Sequence, residues 1–151
     1  MLVSHDFDVA ADHALGRAIA IARATGGRIR VVHVYEAPTY GFPETMVAAY
    51  EFASAVERGM SEALEKIVER NRASGVPIET ELRRGVPWKE IDAAATESKA
   101  DLIVMGTHGR HGVSRMVLGS VAEKVVRTAP CSVLTVRLPE ATPEPTPADA
   151  R

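Results

Sequence analysis

Cysteine is almost absent from this chain of 151 residues, in which Cys131 is the only one. A single cysteine excludes an internal disulfide framework and suits a reducing compartment. No apolar run approaches the roughly 20 residues of a membrane-spanning helix. The first residues, MLVSHDFD, lack the basic segment and apolar stretch of a signal peptide. These absences predict a cytoplasmic protein with no membrane partner.

An excess of charge of either sign is also missing. Lys and Arg number 18 and Asp and Glu 20, for a net charge of -2. Such a chain has no general attraction for nucleic acid, so we expect no nucleic-acid partner and only a local site for any polyanion. Its length fits one domain, which we place at residues 1–138. The stretch PEATPEPTPADAR, residues 139–151, carries four prolines and is expected to be a disordered tail.

Short apolar runs alternate with segments of helical period along the chain. This alternation predicts an α/β fold, with βαβ units, a mostly parallel sheet and helices on both faces. In such sheets, ligands bind beyond the carboxyl ends of strands where the strand order reverses. The apolar runs that we interpret as strands are Leu2-Val3, Ile29–Tyr35, Ile78–Leu82, Leu102–Met105 and Ser132–Val136.

The most informative stretch of the sequence is GTHGRHGVSRMVLGS, from Gly106 to Ser120, directly after the strand LIVM. Gly106 and Gly109 permit close approach of the main chain to a ligand. Gly119 and Ser120 open a helix, whose unpaired N–H groups and positive dipole end suit a phosphate. Arg110 adds positive charge to the same loop. Together these features describe a main-chain site for an anion.

A purely structural interpretation of the same residues stays open. Ser120-Val121-Ala122-Glu123 matches a capping box, in which Ser120 and Glu123 would satisfy donors at the helix start. Glycines after a strand are also common turn residues. The two interpretations are compatible, since a capped helix can still offer N–H groups to a ligand.

Motifs of fast phosphoryl-transfer enzymes are missing. The chain has no GxxxxGK[ST] loop, and no GxGxxG follows the first strand. Without a P-loop lysine, nothing obvious assists phosphoryl transfer. His108 and His111 are spaced like metal ligands but lack a third ligand nearby. Asp6 is open to interpretation as a general base, a turn residue or a helix cap.

The spacing G-x-x-G, nine residues, G-S after LIVM resembles the ATP-binding signature of the universal stress protein family. LVSHDFD resembles the first strand and aspartate turn of that family, and VVHVY its second strand. GVPWKEI resembles the entry to its third helix, and APCSVLTVR its last strand. The resemblance runs from Leu2 to Arg137.

This resemblance implies a five-stranded parallel sheet in the order 3-2-1-4-5, with a crevice between strands one and four. It implies an ATP-binding protein of the stress response or of signalling, with slow hydrolysis at most, and Mg²⁺ on the phosphates. A cyclic nucleotide is a possible variant of the ligand. The alternative is a dimeric member that binds no nucleotide and acts through partners, and an enzyme using Asp6 or His108 ranks last. In either of the first two cases the family implies a homodimer through the last strand, Ser132 to Arg137.

The resemblance also implies a role for particular residues. Ser4 stands where the family commonly has proline, and its main-chain contact with the nucleotide can survive the change. The remaining expected contacts are Asp6 and Gly106 at the ribose, the Val34 main chain at the adenine edge, and Gly109, Gly119, Ser120 and Val121 at the phosphates. Arg110 is added to the predicted nucleotide-binding residues for its positive charge.

Overall fold

Strands and helices alternate along the residues that the structure, a computed structural model, describes: 1–36, 46–107 and 118–138, without the side chains of 46–49. The strands are β1 (Leu2–Ser4), β2 (Ile29–Tyr35), β3 (Ile78–Arg84), β4 (Leu102–Gly106) and β5 (Ser132–Val136). The helices are α1 (Val9–Thr25), α2 (Met46–Asn71), α3 (Pro87–Glu97) and α4 (Ser120–Thr128), with a 3₁₀ turn at Arg72–Ser74.

The five strands form one parallel sheet in the order β3-β2-β1-β4-β5. Leu2 at the start of β1 pairs with Arg30 of β2 on one side and Ile103 of β4 on the other. The chain therefore winds outward from β1 in both directions, and the strand order reverses between β1 and β4. The predicted α/β class and strand order are confirmed.

Each face of the sheet has its own apolar core, because neighbouring side chains on a strand point to opposite faces. Val3 belongs to the cluster beneath α1 and α2, with Leu15, Leu64 and Ile67. Leu2 belongs to the cluster beneath α3 and α4. Trp88 and Cys131 are partly buried against this second cluster.

The start of α4 differs from the capping box suggested by the sequence. Gly119 is the N-cap residue, no side chain caps the helix, and Ser120 is already inside its first turn. The main-chain N–H of Glu123 bonds to the Gly119 carbonyl at 2.9 Å, as it does in a helix that begins at Ser120. The capping-box interpretation of Ser120 and Glu123 is therefore wrong. The N–H of Gly119 is bound to the Thr107 carbonyl at 2.8 Å, which ties the N-cap of the helix to the residue after β4.

Candidate functional site

A pocket of about 210 Å³ lies at the carboxyl ends of β1, β2 and β4. It occupies the crevice where the strand order reverses, which is the ligand position expected for open α/β sheets. Of the nine predicted site residues, Gly109 and Arg110 lie outside the described residues. The other seven all line the pocket: Ser4, Asp6, Val34, Gly106, Gly119, Ser120 and Val121.

Asp6 lies in a tight turn between β1 and α1. Its Oδ1 accepts a hydrogen bond from the Asp8 N–H at 3.2 Å, and Asp8 in turn caps α1 by accepting from the Val9 N–H at 2.6 Å. Between them Phe7 adopts φ 65°, in the left-handed region. The turn is what allows Asp6, two residues beyond the strand, to reach the pocket.

Two buried histidines support this turn from below, and sequence reasoning assigned neither of them a role. His33 of β2 donates through Nδ1–H to the carbonyl of His5 at 2.7 Å. His5 accepts the Phe7 N–H at Nδ1, 3.1 Å away, so its proton is on Nε2, 3.2 Å from Asp12 Oδ1. The one sequence signal was position, since each histidine directly precedes a predicted site residue, Asp6 or Val34.

Burial lowers the pKa of His5 below its ordinary value of 6.5, although the hydrogen bond and the negative charge of Asp12 work in the opposite direction. His5 is only 2% exposed, and the charged form loses its hydration there. Since both of its ring nitrogens are engaged within the fold, His5 is not arranged as a general base toward the pocket.

The main chain of Val34 faces the crevice. The Val32 carbonyl accepts from the His5 N–H at 2.9 Å, whereas the Tyr35 carbonyl accepts from the Gly85 N–H at 3.0 Å on the β3 side. Main-chain polar groups alternate in direction along a parallel strand. The N–H and carbonyl of Val34 therefore point toward β1, beyond its last residue, Ser4. One N–H donor and one carbonyl acceptor side by side can bind the edge of a flat ring that carries both kinds of group.

Gly106 brings β4 into contact with the first turn of α1. A Cβ atom at this position would lie 3.1 Å from Ala10 Cβ and 3.2 Å from the Ala10 carbonyl carbon. Only a residue without a side chain allows the strand end and the helix start to approach so closely. This close packing fixes α1, and with it the Asp6 turn, against the end of β4.

The start of α4 presents main-chain N–H donors to one end of the candidate site. The first N–H groups of a helix have no intrahelical acceptor. Gly119 already donates its N–H to Thr107, so the helix-start donors that remain for a ligand are those of Ser120, Val121 and Ala122. All three residues line the pocket. Donors in this arrangement are suited to bind an anion, as helix N-termini do in other proteins.

The described walls of the pocket combine one acid with apolar side chains, with the two buried histidines and with three hydroxyl residues, Ser4, Thr107 and Ser120. Asp6 is the acidic residue among the described lining residues, and Val34, Pro87, Ile91 and Met105 supply apolar surface. No group of three His, Cys, Asp or Glu side chains that could hold a metal ion occurs within residues 1–36, 46–107 and 118–138. His108 and His111, which are spaced like metal ligands in the sequence, lie outside these ranges. In the same part of the chain, no helix has the length and apolar character needed to cross a membrane.

Comparison with known proteins gives one consistent result. The model of the universal stress protein family matches residues 1–137. A universal stress protein of Thermus aquaticus is 40% identical over 138 residues, which cover 91% of this chain and 97% of the relative. Universal stress protein UspA from Lactobacillus plantarum has the same architecture, with a TM-score of 0.79 and 28% identity over 90% of this chain and 95% of its own.

Two further similar structures contain nucleotides. A universal stress protein from Archaeoglobus fulgidus in complex with dAMP matches with a TM-score of 0.64 and 25% identity, over 89% of this chain and 94% of its own. Another universal stress protein, in complex with cAMP, matches with a TM-score of 0.65 and 27% identity, over 90% and 94% of the two chains.

Proposed function

Because the chain belongs to the universal stress protein family, we propose that it binds an adenine nucleotide, ATP foremost, in the pocket between β1 and β4. It would act in the cytoplasm as a stress-response or signalling protein, with slow hydrolysis at most. The adenine nucleotides in two related structures support the ligand class. The observation that carries the proposal is the pocket wall, where Asp6 and the helix-start donors of α4 line the same crevice.

The proposal divides the pocket into a nucleoside part and a phosphate part. Asp6, beside Gly106, binds the ribose hydroxyls as an anionic acceptor, and the inward-facing main chain of Val34 binds the adenine edge. Ser4 contributes main-chain contact at the end of β1. The volume of about 210 Å³ is below the roughly 300–1,000 Å³ of most ligand pockets, so the described walls enclose only part of a nucleotide.

The phosphates lie at the start of α4 in this proposal. Ser120 and Val121 donate their N–H groups, while Gly119 holds the turn through its bond to Thr107. Gly109 and Arg110, which lie outside the described residues, are proposed as further phosphate contacts, and Mg²⁺ would be carried by the phosphates. When bound, this ion would neutralise phosphate charge.

Replacement of Ser120 by proline tests the phosphate site without removing the helix. Proline is well tolerated at the first helical position, and Gly119 has φ -58° and ψ 149°, which suits a residue before proline. Ser120→Pro deletes one N–H donor, so we expect Mg·ATP affinity to fall by about tenfold, the worth of one hydrogen bond to a charged group. Isothermal titration calorimetry measures the effect.

The matched control is Ser120→Ala, which removes the hydroxyl but keeps the N–H and should bind within about threefold of wild type. Adding Mg·ATP should also raise the melting temperature of the wild-type protein by mass action. Absence of both heat of binding and thermal shift in the wild type refutes the proposed function. Equal affinity of Ser120→Pro and Ser120→Ala would place the phosphates elsewhere.

The proposal includes a homodimer formed through β5 and continuing to Arg137. This strand is at one edge of the sheet, and it has a partner strand on its β4 side only among the described residues. An edge strand left with free main-chain donors and acceptors can pair with a second copy. Pairing of this kind also serves the alternative function, in which a dimer without nucleotide recruits protein partners.

A further inference from the structure

The Asp6 turn depends on His5, whose two ring nitrogens are bound within the fold and are not directed to a ligand. Phe7, next to Asp6, is held at φ 65°, a conformation that residues with a Cβ atom rarely adopt. Its N–H donates to His5 Nδ1 at 3.1 Å. Its ring packs on that of His33, with ring centroids 4.2 Å apart. An unfavourable backbone conformation persists only where its surroundings enforce it.

The bond between Phe7 and His5 exists for one protonation state only. A neutral imidazole has one donor and one acceptor nitrogen, whereas an imidazolium has two donors. Neutral His5 accepts from Phe7 at Nδ1 and donates from Nε2 to Asp12. Protonation at Nδ1 would place two N–H groups against each other, and the bond that holds the Phe7 turn would be lost.

We infer that His5 is a positioning residue, whose neutral form holds the Phe7 turn that presents Asp6 to the nucleotide and whose protonation weakens nucleotide binding. This inference rests on the proposed function, because it requires that Asp6 contacts the ligand. It goes beyond that function by making affinity depend on pH through a pocket-lining residue whose two ring nitrogens are engaged within the fold.

The charges around His5 determine the range of pH in which the effect occurs. Asp12 of α1 and Asp6 of the turn favour the protonated form, while Arg70 of α2, 3.7 Å from Asp12, opposes it. His33 of β2 touches the His5 carbonyl through its own ring. Desolvation outweighs the carboxylates and lowers the pKa of His5. The neutral form therefore predominates above pH 6.5, and protonation takes place at lower pH.

Coupling between protonation and binding works in both directions. If nucleotide favours the turn that neutral His5 stabilises, nucleotide must further lower the pKa of His5. A histidine that merely fills space below the turn would show no such change. Titration of the His5 ring protons by NMR, with and without Mg·ATP, therefore separates a positioning role from a packing role.

The binding experiment compares wild type with His5→Asn between pH 7.5 and 5.0. The Asn side-chain oxygen can replace Nδ1 as the acceptor for Phe7, and it does not titrate in this range. The pH dependence of the ligand itself is common to both proteins, so the ratio of their dissociation constants for Mg·ATP isolates His5. We expect this ratio, wild type over variant, to rise as the pH falls through the pKa of His5, by up to about fivefold once His5 is protonated, the worth of one hydrogen bond.

His13→Asn is the control for removal of a histidine, because His13 lies half-buried on α1 outside the pocket lining. It should keep the pH profile of wild type. A constant ratio for His5→Asn, or a His5 pKa that nucleotide leaves unchanged, overturns the inference while the proposed function stands. If wild type binds no Mg·ATP at pH 7.5, the proposed function fails and the inference with it. Should His5→Asn not fold, the NMR titration of wild type decides alone.

Discussion

At Gly106 the contact between β4 and α1 leaves no room for a side chain. The nearest neighbours of an added Cβ are Ala10 Cβ at 3.1 Å and the Ala10 carbonyl oxygen at 3.3 Å, and the second is a main-chain atom that cannot rotate away. We therefore expect Gly106→Ala to destabilise the protein by about 1–3 kcal/mol through overpacking. Urea denaturation followed by circular dichroism measures the change.

Gly16 provides a control for this substitution. It lies exposed in the middle of α1, and nothing is within 4 Å of an added Cβ. Gly16→Ala should stabilise the protein by about 0.5–1 kcal/mol, because alanine is the better helix former. The same direction of change in both variants would show that the close approach at Gly106 has no energetic consequence.

At the scale of whole elements, Arg83 joins β3 to α3. Its guanidinium is within 3.1 Å of both Glu90 and Glu97 of α3, and 3.3 Å from Glu81 of its own strand. Pro87 and Ile91 of the same helix line the pocket. The ion-pair group therefore holds the helix that forms one wall of the pocket.

From the ion pairs of Arg83 we expect the stability of the protein to fall in acid. The Arg83 hydrogen bond lowers the pKa of Glu97 below its ordinary value of 4.5. A carboxylate with a lowered pKa stabilises the folded state above its unfolded pKa and loses that contribution as pH falls through the folded pKa. The Glu97 contribution is thus complete above pH 4.5 and declines below it. In Arg83→Met we expect the pKa of Glu97 to rise and this acid sensitivity to shrink.

Carboxyl titration by NMR measures the pKa of Glu97 in both proteins. Arg72→Met is the matched control, since Arg72 pairs at the surface with Glu69 at 2.6 Å and contacts neither β3 nor α3 through that pair. The prediction is contradicted by a Glu97 pKa that is the same in wild type and Arg83→Met.

At the scale of the whole molecule, the proposed dimer depends on the outer edge of β5. The Val136 carbonyl accepts from the Thr107 N–H at 3.0 Å, so the main-chain groups of Val136 face inward, toward β4. Those of Thr135, one residue earlier, face outward. Thr135→Pro therefore removes a main-chain donor on the outer edge of β5, where proline is tolerated because an edge strand needs no partner on that side.

We expect wild type to be a dimer at micromolar concentration and Thr135→Pro to be a monomer with unchanged secondary structure. Thr135→Val keeps the N–H and the shape of the side chain, and should remain dimeric. Light scattering coupled to size-exclusion chromatography distinguishes the two states. A wild type that is monomeric, or a Thr135→Pro variant that remains dimeric, excludes pairing through β5.

The strand boundaries show how much of the fold the pattern of apolar residues in the sequence predicts. The sequence pattern predicted β2 and β5 at their observed bounds, because both are short runs rich in β-branched residues, which favour strands. The end of β3 was predicted two residues early: Arg83 and Arg84 interrupt the pattern, and they belong to the strand because their charge is met by glutamates of α3 and by solvent. The domain limits at 1–138 and the disordered tail remain predictions.

The sequence by itself determined the element order, the α/β class and the glycines around the candidate site, since these depend on local periodicity and on backbone freedom at single residues. Its resemblance to a family predicted the strand order. Only the tertiary structure placed His33 against the His5 carbonyl across 28 residues and bound Gly119 to Thr107. Those contacts depend on which strands and helices become neighbours, which no local pattern encodes. They tie the N-cap of α4 to the residue after β4, and they hold the two histidines against the Asp6 turn.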